Sequence, residues 1–166
     1  MYDPFIRNDC VELLRQSYES RPGDIFIATY PKAGTTWLQQ IVLQLLYKGD
    51  DSKVDPHPKL QTQSPWIEAA FLRGPSKRLA GPRPYLDWNL LDDLRAIHPL
   101  GETDDRRRVF KTHAPWQLFP VSPENLDPKT KIVCVVRNVK SVCVSMYSHS
   151  TKIPSHNYTG PWEDWL

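Results

Sequence analysis

The apolar positions along the chain follow two different periods. Residues 25–28 are an unbroken apolar run between turn residues, and residues 131–136 contain a second such run. Runs of this length are typical of strands that are covered on both faces, as in a parallel sheet. Residues 109–111 predict a third, shorter strand. Apolar steps of three and four residues predict three helices, over residues 9–19, 35–48 and 139–148.

Strands and helices alternate along the chain. This alternation predicts an α/β layered fold with a mainly parallel central sheet. The length of 166 residues, against about 150 for a typical domain, predicts a single domain over residues 1–166. Most prolines lie between Pro56 and Pro128, so this stretch should consist of loops and short helices. Because ligands bind at the carboxyl ends of strands in such sheets, the loops after the three strands form the candidate site.

Composition and charge narrow the class of protein. Apolar residues make up 40% and charged residues 24% of the chain, as in soluble globular proteins. The net charge of +2 is too small to indicate a nucleic-acid partner, so an anion site has to be local. No apolar run approaches the roughly 20 residues that span a bilayer, and no signal-peptide pattern opens the sequence. We therefore expect no membrane contact and a cytoplasmic location.

The cysteines and one arginine cluster have structural interpretations. Cys10, Cys134 and Cys143 lack metal-ligand spacing, and two of them lie in apolar segments. Buried reduced thiols are therefore expected. The three consecutive arginines at residues 106–108 are expected to form a solvated cluster that leads into the strand.

The first candidate loop covers residues 29–37 (TYPKAGTTW), between a strand and a helix N-terminus. Unpaired N–H groups in a first helical turn, together with the helix dipole, attract anions. Gly34 allows close backbone approach, Lys32 adds a charge, and Thr35 and Thr36 add hydroxyl donors. The loop therefore predicts a phosphate-like ligand. It is not a Walker A loop, because Lys32 precedes the glycine; an ordinary strand-to-helix turn would explain Gly34 but not the lysine.

The second candidate loop contains Lys111 and His113. A histidine titrates near ~6.5 and can accept a proton at neutral pH, which makes His113 the candidate general base. By strand alternation, Lys111 points to the same face. The remaining histidines lack such a setting and are interpreted as structural: His57, His98, His149 and His156.

The third candidate loop begins at Arg137, directly after the last predicted strand. Arginine offers a planar fork for bidentate binding of phosphate. Ser145 lies about two helical turns further on and can supply a hydroxyl to the same group. A charged residue after a strand and a serine on a helix are each common. Arg137 and Ser145 alone are therefore weak evidence for a phosphate site.

Together the three segments resemble the cytosolic sulfotransferases, which transfer a sulfuryl group from 3′-phosphoadenosine 5′-phosphosulfate (PAPS) to hydroxyl or amine acceptors. Residues 29–37 are similar to the family's 5′-phosphosulfate loop, residues 111–115 (KTHAP) to its catalytic segment, and residues 137–145 to its 3′-phosphate motif. Residues 160–165 (GPWEDW) resemble the segment that follows. The resemblance implies a P-loop-like, three-layer α/β fold with a mainly parallel central sheet, incomplete at the C-terminus.

The resemblance also implies how the donor would bind. PAPS would be the co-substrate, and the scheme needs no metal. Lys32 would stabilise charge on the leaving phosphate, Trp37 would stack on adenine, and Arg137 with Ser145 would hold the 3′-phosphate. The full set of cofactor-binding residues is Lys32, Ala33, Gly34, Thr35, Thr36, Trp37, Arg137 and Ser145.

The catalytic residues implied by the resemblance are His113, Lys32 and Lys111. His113 would take the proton from the acceptor, and Lys111 would add positive charge at the transferring group. Trp66 and Phe71 resemble the start of the acceptor pocket and, with Lys111 and His113, would contact a small hydroxylated molecule. Ordinary core packing explains both aromatic residues equally well.

The chain departs from the family pattern in three respects. Ala33 stands where serine is usual, and Ser141 where aspartate is common. The sequence also ends soon after the third motif, so it represents either part of a longer enzyme or a short form. The alternative function is a truncated, non-catalytic module that binds PAPS or its product. A P-loop kinase or nucleotide hydrolase is disfavoured, because no Walker B-like aspartate follows an apolar run.

Overall fold

The computed structural model of the protein describes residues 8–18, 20–57, 59–70, 107–153, 156 and 158–165. The strands in these ranges are β1 (Ile25–Thr29), β2 (Val109–Thr112) and β3 (Lys131–Val135). The helices are α1 (Asn8–Ser17), α2 (Thr35–Leu46), α3 (Leu60–Gln63), α4 (Ile67–Ala70) and α5 (Val139–Lys152). The predicted order of strands and helices is confirmed, and α5 runs four residues beyond its predicted end.

The strands form one parallel sheet in the order β2-β1-β3. Ile25 at the start of β1 lies opposite Val109 of β2 and Lys131 of β3. Parallel pairing in this register brings the three carboxyl ends to the same edge of the sheet. The three candidate loops therefore begin side by side.

Helices cover both faces of the sheet. Side chains alternate along β1, so its apolar residues contact the helices on both sides. Phe26 points into one apolar cluster, and Ile25 and Ile27 point into another. The first cluster is completed by Leu14, Tyr18, Ile67, Phe110, Phe119 and Val121. The second is completed by Val42, Leu43, Leu46, Tyr47, Val54, Leu60 and Val109. The α1 and α4 residues on one side and the α2 and α3 residues on the other make three layers, as predicted.

The two outer strands differ from each other in burial, and β3 differs from its prediction. β2 is buried at every position, whereas Lys131 and Cys134 of β3 are exposed and its other residues are half-buried. Among the described residues, β3 pairs with β1 alone and so forms an edge of the sheet. The expectation of a strand covered on both faces is therefore wrong. The thiols differ as well, since Cys134 is exposed and Cys143 is partly exposed.

The expectation that the arginine cluster is solvated is wrong for Arg108. Arg108 is 2% exposed and pairs with the buried Asp24, with 2.8 Å between Nε and Oδ1 and a second contact from Nη2. Its guanidinium lies over the rings of Tyr18 and Phe110. Arg108 and Asp24 precede strands that pair in register, which is why the two charges meet.

The proline-rich stretch over residues 56–128 follows its predicted character where the structure describes it. Apart from β2, it contains the short helices α3 and α4 and single 3₁₀ turns at Trp116–Leu118 and Pro123–Asn125. Within the described ranges, no helix combines the length and the apolar character needed to span a bilayer.

Candidate active site

The loop between β1 and α2 presents an uncapped helix N-terminus. Gly34 is the N-cap of α2, with φ of 122°, and no side chain caps the helix there. The first turn holds no acidic residue, so its amides and the positive end of the dipole remain available to an anion. A side chain at Gly34 would meet no atom within 4 Å, so the backbone angle is what requires glycine.

The side chains of this loop divide between the interior and the surface. Ala33 and Thr35 are buried, whereas Thr36 is exposed and Trp37 is 71% exposed. Lys32 itself has φ of 67°, a left-handed conformation that is rare for a residue with a side chain. Strained backbone of this kind is concentrated at functional sites.

His113 is attached to the end of β1. Its Nδ1 atom lies 2.7 Å from the carbonyl oxygen of Thr29, and 3.4 Å from the hydroxyl of the same residue. A carbonyl only accepts, so the short contact requires the proton on Nδ1. In the neutral ring the lone pair then lies on Nε2. The Thr29 hydroxyl also lies 2.5 Å from that of Thr35, which connects His113 to the first loop.

Trp66 brings Lys111 and His113 into one group. The Lys111 ammonium lies 5.4 Å from the centre of the Trp66 ring, and the His113 ring meets Trp66 edge-on at 5.0 Å. Lys111 is almost fully buried and His113 is partly exposed. The fourth residue of the predicted acceptor group, Phe71, lies outside the described residues.

The first and third loops meet directly. Nη1 of Arg137 donates to the carbonyl oxygen of Lys32 over 2.8 Å. Both side chains border a cavity of about 570 Å³. The residues that line the cavity are Lys32, Arg137, Lys140, Ser141, Val144, Ser145, Ser148, His149 and Lys152. Of the predicted cofactor residues, Lys32, Arg137 and Ser145 therefore share one space.

The cavity is strongly cationic. Lys32, Arg137, Lys140 and Lys152 contribute four positive charges, and no carboxylate lies among its lining residues in the described chain. Two serines adjoining Ser145 in space, Ser141 and Ser148, add hydroxyl groups. A concave surface with this charge attracts phosphate-bearing ligands. His113 and Trp37 do not line this cavity, so the candidate site extends beyond it along the edge of the sheet.

His149 was missed by the sequence reasoning. Its Nδ1 atom lies 3.3 Å from Nζ of Lys32, and the residue lines the same cavity. Ser145, His149 and Lys152 follow one another at steps of four and three, which places them on one face of α5. That spacing could have indicated that the three side chains share a face. The predicted helix ended at residue 148, however, so His149 and Lys152 were not placed on it.

A buried carboxylate, Glu68 of α4, was also missed. Its Oε1 atom accepts hydrogen bonds from the backbone N–H groups of His113 and Ala114. No sequence signal marked it, because an isolated glutamate in a short helix is ordinary on a protein surface.

Comparisons with known proteins identify the family. The model of the sulfotransferase domain matches residues 22–166. Sulfotransferase 1A1 of Bos taurus is 32% identical over 151 residues, which cover 91% of this chain and 43% of that protein. Sulfotransferase 1 family member D1 of Mus musculus is 34% identical over the same coverage. The chain thus spans less than half the length of these relatives.

Solved structures show the same fold. Mouse sulfotransferase SULT7A1, complexed with PAP, matches with a TM-score of 0.60 and 22% identity over 99% of this chain and 46% of that one. Retinol dehydratase in complex with androsterone and inactive cofactor PAP matches with a TM-score of 0.61 and 19% identity, over 96% of this chain and 49% of the other. With the domain match over most of its length, the chain belongs to the sulfotransferase family.

Proposed function

We propose that the protein is a PAPS-dependent sulfotransferase that moves a sulfuryl group to a hydroxyl, or an amine, of a small acceptor. The observation that carries this proposal is the contact between Arg137 and the Lys32 carbonyl across the shared cationic cavity. A ligand with phosphate at both ends would need the first and third loops to stand this close together. Family membership and PAP in the matching structures add support.

The described residues suit the two ends of the donor. The uncapped amides at Gly34, Thr35 and Thr36 and the Lys32 ammonium are suited to a 5′-phosphosulfate. Arg137 and Ser145 are suited to a 3′-phosphate, with Lys140 adding charge beside them. The exposed indole of Trp37 offers a stacking surface for adenine. Ala33 is buried and contributes through its backbone position alone.

In the proposed reaction, PAPS supplies a sulfuryl group on a good leaving phosphate. Nε2 of His113 takes the proton from the acceptor hydroxyl as its oxygen attacks the sulfur, since Nδ1 is engaged with Thr29. The bond between the sulfur and the 5′-phosphate oxygen breaks, and PAP leaves. The charges of Lys111 and Lys32 stabilise negative charge that develops on the transferring and leaving oxygens. The base, the cations and the acceptor-facing Trp66 then act as one preorganised group.

The proposed acceptor is a small molecule with an apolar body and a hydroxyl group. Trp66, edge-on to His113, offers an apolar wall beside the base. Retinol dehydratase, which shares the fold, has been solved with retinol and with androsterone. Both are alcohols of this chemical class.

The proposal is tested by separating binding from transfer in the His113→Ala variant. Calorimetry with PAP measures binding, and labelled PAPS with a panel of phenols and alcohols measures product. We expect product formation to fall about 10²- to 10⁴-fold, as for loss of a general base, while the dissociation constant for PAP stays within about twofold. His57→Ala, at an exposed histidine that is not among the residues lining the cavity, is the matched control.

The same experiment distinguishes the second candidate function. Since the chain spans less than half the length of its relatives, a PAPS- or PAP-binding module without catalysis is the competing proposal. PAP binding without product from any acceptor would favour the module. Unchanged turnover of His113→Ala would remove the histidine from the mechanism. Failure to bind PAP would contradict both proposals.

A further inference from the structure

Glu68 lies behind the catalytic segment and is 2% exposed. Its Oε1 atom accepts hydrogen bonds from the Thr112 hydroxyl at 2.6 Å, the His113 N–H at 2.9 Å and the Ala114 N–H at 3.0 Å. Three donors from three consecutive residues thus converge on one buried oxygen. A buried carboxylate is costly unless it is hydrogen-bonded, so this position is built around these contacts.

The segment that carries Glu68 is itself attached to β2. Trp66 forms an isolated parallel bridge with Lys111, and the Lys111 N–H donates to the Pro65 carbonyl oxygen over 2.9 Å. The Trp66 side chain then contacts Lys111 and His113. Residues 65–68 therefore run alongside the end of β2 and place the Glu68 carboxylate beneath the turn that follows.

His113 is the first residue after β2, where the hydrogen bonds between strands have ended. The register between β1 and β2 ends at the pair Ala28 and Thr112, and β2 ends there too. The next two N–H groups, of His113 and Ala114, donate to Glu68 instead of to a strand. On the other side, the ring donates to the Thr29 carbonyl oxygen. The orientation of the imidazole is thus defined at the ring by Thr29 and Trp66 and at the backbone by Glu68.

We propose that Glu68 is a positioning residue, which holds the backbone at residues 112–114 so that Nδ1 of His113 donates to Thr29 and Nε2 faces the acceptor. For its catalytic consequence this inference rests on the proposed role of His113 as the base. Burial raises the pKa of Glu68, and the hydrogen bond from Thr112 opposes that rise. The hydrogen bonds need only an acceptor oxygen, so they persist whether the carboxyl group is ionised or carries a proton on Oε2.

The test uses two substitutions of Glu68 and two independent readouts. Glu68→Gln keeps an acceptor oxygen, whereas Glu68→Leu removes it at similar size. Nitrogen-15 NMR of the His113 ring, assigned with His113→Ala, reports the tautomer in the free protein. We expect the Nδ1–H form in the native protein and in Glu68→Gln, and in Glu68→Leu a mixture of tautomers close to that of an unconstrained histidine side chain.

Turnover is the second readout. A misplaced base can cost about 10²-fold in rate, so we expect kcat of Glu68→Leu to fall by about 10- to 100-fold with an unchanged PAP dissociation constant. Glu68→Gln should stay within a few-fold of the native kcat. Thr112→Val removes one of the three donors in a fully buried position and should give an intermediate loss, which preserves the test if Glu68→Leu does not fold.

The control is Asp24→Asn, which weakens a buried ion pair at the opposite end of the strands. It should lower thermal stability while leaving the His113 tautomer and kcat unchanged. A folded Glu68→Leu protein with the native tautomer would overturn the inference, and so would a loss of kcat in Asp24→Asn equal to that in Glu68→Leu. If no variant, including the native chain, forms product, the proposed function fails, and the NMR result still decides the positioning role.

Discussion

At the scale of single residues, the candidate site depends on hydrogen bonds that select one state of a side chain. The contact of His113 Nδ1 with the Thr29 carbonyl oxygen selects a tautomer, because a carbonyl can only accept. The contact of Arg137 with the Lys32 carbonyl oxygen similarly selects an orientation for the first loop. The backbone of Lys32 is left-handed in this arrangement, so the loop holds local strain next to the proposed phosphate group.

The strain at Lys32 predicts an unusual order of stabilities. A residue with a Cβ atom costs about 1–2 kcal/mol in the left-handed region, and the greater freedom of unfolded glycine offsets about 0.5–1 kcal/mol of the gain. We expect Lys32→Gly to have a free energy of unfolding about 0.5–1 kcal/mol higher than Lys32→Ala, although both remove the ammonium group of the proposed PAP site. Guanidinium unfolding of the two variants measures the difference.

This comparison contains its own control, because the two variants differ only in the Cβ atom. The same pair of changes at Lys140, an exposed residue in the first turn of α5, should show the opposite order. There glycine should be the less stable by about 1 kcal/mol, as in any helix. If Lys32→Gly were also the less stable, the left-handed backbone would not be strained.

At the scale of elements, the helix α5 supplies several of the polar side chains that line the cavity. Residues 136–138 connect α5 to β3, and Asn138 caps it by accepting a hydrogen bond from the Lys140 N–H over 3.0 Å. Ser145, His149 and Lys152 then lie on the face toward the cavity. The start of α5 therefore determines where all three side chains stand relative to Lys32.

The cap predicts a measurable contribution to stability. Asn138→Ala removes the acceptor of the Lys140 N–H, and loss of such a cap costs about 1 kcal/mol. Asn138→Ser retains a capping oxygen and should stay within a few tenths of a kcal/mol of the native protein. Urea unfolding of the three proteins measures these differences. Equal destabilisation by alanine and serine would show that the capping hydrogen bond does not stabilise α5.

At the scale of the whole molecule, local patterns predicted the order of elements and the three loops. Apolar runs and helical steps depend on neighbouring residues, and each loop motif lies directly after its strand. The positions of Lys32, His113 and Arg137 after the strand ends could therefore be predicted without knowledge of the packing. The contacts of these loops follow from parallel strands that end at one edge, which is a general property of such sheets.

The features that were missed depend on pairs that are distant in sequence. Arg108 is buried because it pairs with Asp24. Asp24 lies 84 positions away in the sequence, just before an adjoining strand, so no local pattern reveals the pair. The donors to Glu68 lie 44 to 46 positions away. An apolar run also looks the same in the central strand and at an edge, so the exposure of Cys134 in β3 could not be anticipated. Burial of a given strand depends on its neighbours, which local periodicity does not specify.

The burial of Glu68 also predicts how the stability of the whole molecule varies with pH. Burial raises the pKa of Glu68 above its ordinary value of 4.5. Between that value and its folded pKa, the native protein binds more protons than the unfolded chain. The free energy of unfolding therefore falls as pH rises through this window. Above the folded pKa the loss is complete, and it amounts to about 1.4 kcal/mol for every pH unit that separates the folded pKa from the unfolded one.

Glu68→Gln removes this dependence because its side chain does not titrate. Other carboxyl groups, including Asp50 and Glu124 with lowered pKa values, contribute equally to both proteins and cancel in the difference. We expect the stability of Glu68→Gln relative to the native protein to increase steadily as pH is raised from 4.5 to the folded pKa of Glu68. Guanidinium unfolding at intervals from pH 4 to pH 8 measures it. A difference that stays constant, or that shrinks with rising pH, would mean that the folded protein does not raise the pKa of this carboxyl group.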